Sequence, residues 1–195
     1  ITSDDIAAII YTSGTTGSPK GAAITHGNFL HSITAYQQTL NLTSKDSTIL
    51  PIPICHITGL SALLCLFIHI GGTIHLHQRF NADEILKAIS QYEITFLHGS
   101  PTVFILLTQE AEKHLTEYHY SSLRMIACGA GHLNIGIINK LSELFPNTEI
   151  RPIYGLTETT SPASIFPLDA RESNKVGSSG LPIAGLECQI RDDSN

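Results

Sequence analysis

The chain has 195 residues, 42% of them hydrophobic, and a net charge of −6. That length can bury a real core and suits one or two domains. With 11 Lys+Arg against 17 Asp+Glu and no basic cluster, the composition excludes a general nucleic-acid binder, whose phosphate contacts demand clustered cations.

In chain order, the apolar run Ile6–Tyr11 predicts a buried strand, and Ala22–Thr25 its partner across a polar loop. Helical spacing of Phe29, Ile33, Tyr36 and Leu40 predicts a helix over Asn28–Leu40, capped by Thr25 or Asn28. Thr48–Pro53 reads as a short strand ended by prolines. Gly59–Ile70 is apolar on most faces and reads as a buried helix, closed by Gly71-Gly72. Thr73–His77 alternates as a strand does. Asn81 caps a helix over Ala82–Tyr92, Ile94–His98 is a strand, and Pro101 opens a helix running to His114. Leu123–Cys128 is a strand, Asn134–Phe145 a helix, Thr148–Tyr154 a strand, and Leu186–Ile190 a strand-like run. Pro162–Pro182 is rich in turn residues. Strands alternating with helices give the fold class: α/β, with a mostly parallel sheet of βαβ units flanked by helices and a hairpin at the N-terminus.

The four cysteines, Cys55, Cys65, Cys128 and Cys188, show no C-x-x-C spacing and read as reduced, several of them buried. No basic-then-apolar leader opens the chain. The longest apolar stretch, Ile57–Ile70, is interrupted by Thr58, Gly59, Ser61 and His69 and is too short to span a bilayer. The expectation is a cytoplasmic protein without a transmembrane segment.

Tyr11–Gly21 reads Y-T-S-G-T-T-G-S-P-K-G and packs five hydroxyls, three glycines and one lysine into eleven residues. Glycines let backbone N–H groups approach an anion, hydroxyls donate further hydrogen bonds, and Lys20 adds a full positive charge. The loop is not a Walker A motif, because Pro19 precedes Lys20 and Gly21 follows it. On these residues alone it is either a phosphate site or a Gly/Ser-rich hairpin turn. His56, Gly129–Gly131 and Tyr154–Glu158 each follow a predicted strand, so they converge on one edge of the sheet, where open α/β sheets bind ligands.

Tyr11–Gly21 resembles the phosphate-loop signature of the adenylate-forming (AMP-binding) superfamily, which includes acyl-CoA synthetases, peptide-synthetase adenylation domains and luciferases. Tyr154-Gly155-Leu156-Thr157-Glu158 resembles the same family's Y-G-x-T-E motif. Weaker likenesses lie between and beyond. Pro53–Gly59 resembles the P-x-x-H-x-x-G of acyl- and aryl-CoA ligases, and Gly99–Thr102 a V-P-T-like turn. Cys128–Leu133 resembles S-G-G-A-P-L with His132 in the proline's place, and Gly177–Pro182 resembles G-S-x-G-x-P.

The resemblance implies activation of a fatty or aryl carboxylic acid by ATP to an acyl-adenylate, then thioester formation with coenzyme A. A carrier protein as acceptor is the alternative, and so is a module that binds nucleotide without catalysis. By this likeness Thr12, Ser13, Gly14, Thr15, Thr16, Gly17 and Lys20 hold the β- and γ-phosphates. Glu158 holds Mg²⁺, and Thr157 donates to the α-phosphate or the substrate carboxylate. Gly129, Ala130, Gly131, Tyr154 and Gly155 take the nucleotide, with Tyr154 stacking on adenine. His56 lies near the carboxylate. Plainer readings stand beside these: Thr157-Glu158 as a helix-start pair, Tyr154 as a strand-end aromatic, Gly129–Gly131 as a strand-to-helix turn and His56 as structural. Ile54–Gly59 holds no acid to pair with a substrate amine, which favours an acyl or aryl acid over an amino acid. His75 and His77 share one face of a strand and read as surface cover, since two ligands make a weak metal site.

The family's ribose-binding aspartate, hinge residue and catalytic lysine have no match here. The resemblance therefore implies that residues 1–195 are a central portion of the N-terminal nucleotide-binding domain, without the C-terminal lid. It also implies little or no adenylation by this segment alone.

Overall fold

A computed structural model describes residues 1–13, 17–114, 117–175 and 177–192. The chain opens with an antiparallel hairpin, β1 (Ile6–Thr12) and β2 (Lys20–Thr25). The expectation of a buried first strand is corrected: Ile6, Ile9 and Tyr11 are 60%, 57% and 72% exposed. Among the described residues the hairpin is a sheet of its own, paired to no strand of the main sheet, which leaves much of β1 exposed.

α1 (His26–Thr39) begins two residues before the predicted Asn28. Thr25 Oγ1 accepts from the Asn28 N–H at 3.1 Å and Asn28 Oδ1 accepts from the Thr25 N–H at 3.0 Å, a reciprocal cap. β3 (Ser47–Leu50) stops short of the predicted Pro53 because Pro51 and Pro53 have no N–H to donate to a ladder. The single buried helix predicted next is two: a π-helix over Thr58–Cys65 running into α2 (Leu66–Ile70). Gly59 lies so close to Ile52 and Pro53 that any Cβ on it would collide with the Pro53 carbonyl oxygen. Gly71, at φ 70°, closes α2.

β4 (Thr73–Leu76), α3 (Ala82–Tyr92), β5 (Phe96–Gly99), α4 (Pro101–Ala111), β6 (Met125–Cys128), α5 (Ile135–Leu144) and β7 (Glu149–Tyr154) follow in the predicted alternation. Asn81, Ser100 and Asn134 cap the three helices, each side chain accepting a backbone N–H three residues on. β8 (Ser164–Ile165) and β9 (Leu181–Pro182) emerge from the turn-rich segment. Leu186–Ile190 is no strand, and it finds no pairing partner among the described residues.

The main sheet runs β4-β3-β5-β6-β7-β8-β9; the first five strands pair in parallel, and the β7–β8 and β8–β9 pairings are antiparallel. Alternate residues of each strand face opposite cores. Ile49, Leu97, Ile126 and Ile150 pack under α3, α4 and α5, while Leu50, Phe96, Met125, Ala127 and Ile153 pack under α1 and α2. The chain leaves β3 for β4 on one side and later returns to β5 on the other. The connection order thus reverses between β3 and β5, which opens a crevice beyond their carboxyl ends.

A polar clamp sits at the opposite end of the sheet. Buried Asp46 accepts from Arg124 Nε at 2.7 Å, from Arg124 Nη2 at 2.9 Å and from Thr95 Oγ1 at 2.8 Å. All four cysteines are free; only Cys128 is fully buried, Cys65 is half-buried, and Cys55 and Cys188 are exposed. Among the described residues no helix is long and apolar enough to cross a membrane.

Candidate active site

Two adjoining cavities open at the carboxyl ends of the parallel strands. The first, about 240 Å³, is lined by Thr12 from the hairpin, by His56, Thr58 and His98, by Gly129 and Ala130 after β6, and by Ile153, Gly155, Leu156, Thr157, Glu158 and Ser161 around the end of β7. The second, about 420 Å³, lies in the crevice between β3 and β5. Its walls are Pro51, Ile52, Pro53, Cys55 and Val103, with Gly99 and Ser100. His56, Thr58, His98, Gly129 and Ala130 line both and form the boundary between them.

The expected site residues divide by place. Thr12, His56, Gly129, Ala130, Gly155, Thr157 and Glu158 share the first cavity. Lys20 stands across the hairpin from Thr12 in the β1–β2 register and is exposed, as are Ser13 and Gly17. Gly17 has φ 90°, a conformation that suits glycine. Gly14, Thr15 and Thr16 lie outside the described residues. Gly131 instead lines a small neighbouring hollow with His132, Leu133 and Gly177–Ser179. Tyr154, half exposed at the end of β7, is not among the residues lining either cavity.

Local structure aims these groups. Tight passage of Gly59 past the Pro53 carbonyl brings the segment carrying His56 over the crevice. The Thr58 N–H donates to His56 Nδ1 at 3.2 Å, so the neutral ring carries its proton on Nε2, free to donate. Thr157–Thr159 is a single 3₁₀ turn, held where Thr159 Oγ1 accepts from the Leu156 N–H at 3.0 Å. Ala130 sits at φ 60°, a left-handed conformation that L-residues with a Cβ resist. Glu158 is exposed and has no ion-pair partner among the described residues.

Sequence reasoning missed the layer beneath. Ser32 and Tyr36 of α1 and Ser61 of the π-helix are buried behind the turn. Ser32 Oγ meets Ser61 Oγ at 2.8 Å and donates to the carbonyls of Thr160, at 3.0 Å, and Ser161. Tyr36 Oη meets Ser161 Oγ at 3.0 Å and His98 Nε2 at 3.3 Å. Burial, with the nearby His56, pushes His98 down to about 3, so its ring is neutral, and burial raises the Tyr36 phenol. Polar residues at inward positions of apolar elements were the available signal: Ser32 and Tyr36 fall on the buried face of α1, and His98 interrupts an otherwise apolar strand. The surface pair behaves as read. His75 stacks on Tyr92 with centroids 4.5 Å apart, and His77 lies 3.8 Å from Glu84.

This architecture, with a hydroxyl-rich hairpin and a Thr–Glu turn meeting at the crevice of a largely parallel sheet, is that of the N-terminal domains of adenylate-forming enzymes. The chain belongs to the AMP-binding enzyme family, whose model matches residues 1–195. It is 36% identical over its whole length to a 2-succinylbenzoate–CoA ligase of Bacillus velezensis, of which it covers 38%. To the 4-coumarate–CoA ligase-like 2 protein of Arabidopsis thaliana it is 32% identical over 98% of the chain and 34% of that protein. The solved O-succinylbenzoate coenzyme A synthetase (MenE) of Bacillus subtilis, in complex with ATP and magnesium ion, superposes with a TM-score of 0.87 at 32% identity. That match covers 100% of this chain and 39% of the other. The chain spans little more than a third of the length of the curated relatives it matches.

Proposed function

We propose that this chain is the nucleotide-binding core of an ATP-dependent acid–thiol ligase. The parent protein joins a carboxylic acid to ATP, releasing pyrophosphate and forming an acyl-adenylate, and then passes the acyl group to the thiol of coenzyme A, releasing AMP. One observation carries this reading: Thr12 and Thr157–Glu158 line a single polar cavity that adjoins an apolar one at the sheet's switch point. Both the family and the ligase names of its relatives support it.

The first half-reaction brings together two anions, a carboxylate and a triphosphate. Neither cavity is lined by Lys or Arg among the described residues, and the polar one carries an acid of its own, Glu158. An unpaired carboxylate beside a phosphate site fits a hard divalent cation, so the donor set is right for Glu158 to hold Mg²⁺. When bound, that ion neutralises phosphate charge. Thr12 and Thr157 donate hydroxyl hydrogen bonds to the phosphates, and Lys20, at the rim, adds a full charge. Gly129 presents backbone without a side chain: a Cβ there would come within 3.1 Å of the Ile153 carbonyl oxygen. His56 lines the boundary with Nδ1 engaged by the Thr58 N–H, which leaves Nε2 to orient the attacking carboxylate.

The apolar walls, Pro51, Ile52, Pro53 and Val103, suit an acid with an apolar body, and no Asp among the described residues lines either cavity to receive an amine. The substrate is therefore an aryl or fatty acid. Pyrophosphate exchange by the intact protein over a panel of aryl, fatty and amino acids tests this. Exchange with aryl or fatty acids and not with amino acids is expected; exchange with amino acids alone contradicts it. Residues 1–195 alone are expected to exchange little or nothing.

A further inference from the structure

We propose that His98 is a substrate-binding residue whose Nδ1–H donates to the reacting carboxyl group where the two cavities meet. The inference rests on the acid-ligase reading above and adds a residue to it.

His98 is the penultimate residue of β5 and is 2% exposed. One ring nitrogen is engaged: Nε2 lies 3.3 Å from Tyr36 Oη. The other, Nδ1, is shielded from solvent and has no hydrogen-bond partner among the described residues. A buried polar nitrogen left in this state costs stability, and a ligand that satisfies it recovers that cost. The ring lines both cavities, and its Cε1 lies 3.6 Å from where a Gly129 Cβ would stand. Nδ1 is therefore a polar atom without a partner in a ring that borders both cavities.

Chemistry fixes what that occupant is. Adenylation needs the carboxylate to touch the α-phosphate while its carbon body remains in the apolar cavity, so the carboxyl group crosses the boundary. A carboxylate or an ester carbonyl only accepts, so the partner nitrogen must donate. Burial keeps the ring neutral, so it has a single proton to place. The chain behind it allows that proton on Nδ1: with Ser161 Oγ–H donating to Tyr36 Oη, the Tyr36 O–H is left to donate to His98 Nε2. Ser161 is itself a wall of the polar cavity and follows the Thr157–Thr159 turn, so the same chain ties the donor's tautomer to that turn. With His56 on the same boundary, the carboxyl group meets two imidazole rings in a site that no Lys or Arg lines among the described residues.

The test is nitrogen NMR of the intact protein labelled with ¹⁵N-histidine, alone and with benzoyl- and octanoyl-sulfamoyladenosine as acyl-adenylate mimics. His98 is expected in the Nδ1–H form in the complex, with its Nδ1 proton moved downfield as a mimic saturates. Binding that leaves the His98 nitrogens unchanged, or finds them as Nε2–H, overturns this inference alone. Failure of both mimics to bind overturns the ligase reading and this one together. Affinity in two variants gives a second readout. His98→Asn keeps an N–H near the Nδ1 position and should hold mimic affinity within about threefold. His98→Gln keeps only a partner for Tyr36 and should lose about tenfold. The reverse order marks the ring as a prop for Tyr36 and overturns the proposal.

Discussion

Thr12, the last residue of β1, and Glu158, in the 3₁₀ turn after β7, line the same cavity although they come from opposite ends of the chain. The hairpin that carries Thr12 is no part of the main sheet, so this meeting is made by packing across the site and not by strand pairing. It gives a triphosphate hydroxyl donors on one side and a cation-holding carboxylate on the other.

Glu158→Gln removes the charge and keeps the shape. Glu158 is exposed and unpaired among the described residues, so stability should change by no more than about 0.5 kcal/mol. Pyrophosphate exchange should fall about 10²-fold, with a raised Mg²⁺ requirement. A titration of exchange rate against Mg²⁺, beside a melting curve, checks both; an unchanged titration removes Glu158 from the metal site.

Gly59→Ala should destabilise by about 1–3 kcal/mol, because the new methyl meets the Pro53 carbonyl oxygen, which is backbone and yields poorly. A urea midpoint shift measures the cost. Since the same approach sets the segment bearing His56, KM for the acid should rise more than KM for ATP. Equal rises would separate the packing from the acyl site.

Much of the scaffold was legible in the sequence because helix starts are written locally. Asn81, Ser100-Pro101 and Asn134 announce three helices, and the caps are there. The crevice followed from strand–helix alternation, and the family's motifs marked its walls. Other features depend on partners far away in sequence. An apolar strand at the N-terminus looks buried in any local window, yet Ile9 is exposed, since burial depends on what covers it. The π-helix at Thr58–Cys65 carries the apolar pattern of an α-helix, and its wider turn sits where Gly59 meets the backbone of an earlier segment. The Ser32–Tyr36–His98–Ser161 layer joins three segments far apart in the chain, so no single window shows it.

Ala130→Gly relieves a left-handed backbone at φ 60°, worth about 1 kcal/mol in stability. Ala130 lines both cavities, so the change also alters their shared wall. A raised melting temperature with altered preference among acids is expected. A lowered melting temperature contradicts the strain.

Asp46 links stability to pH. Burial opposes its charge, but hydrogen bonds from Arg124, the Thr43 N–H and Thr95 outweigh burial and hold its carboxyl below the usual carboxylate range. A lowered folded-state value means the stabilisation is present above the ordinary value of 3.8 and is lost as pH falls below it through the folded value. Asp46→Asn should cost about 3 kcal/mol at neutral pH and flatten the acid limb of the stability curve. Urea midpoints between about pH 3 and 7 test this; parallel curves for the two proteins would count against it.

The most direct test of the single-cleft account is a crystal structure of the intact protein with a non-hydrolysable ATP analogue and Mg²⁺. The account predicts the triphosphate against the hairpin loop from Thr12 to Lys20, with the metal ion on Glu158 and the α-phosphate beside Thr157. A nucleotide that touches only one of those two segments, or that binds away from the cavity they share, contradicts it.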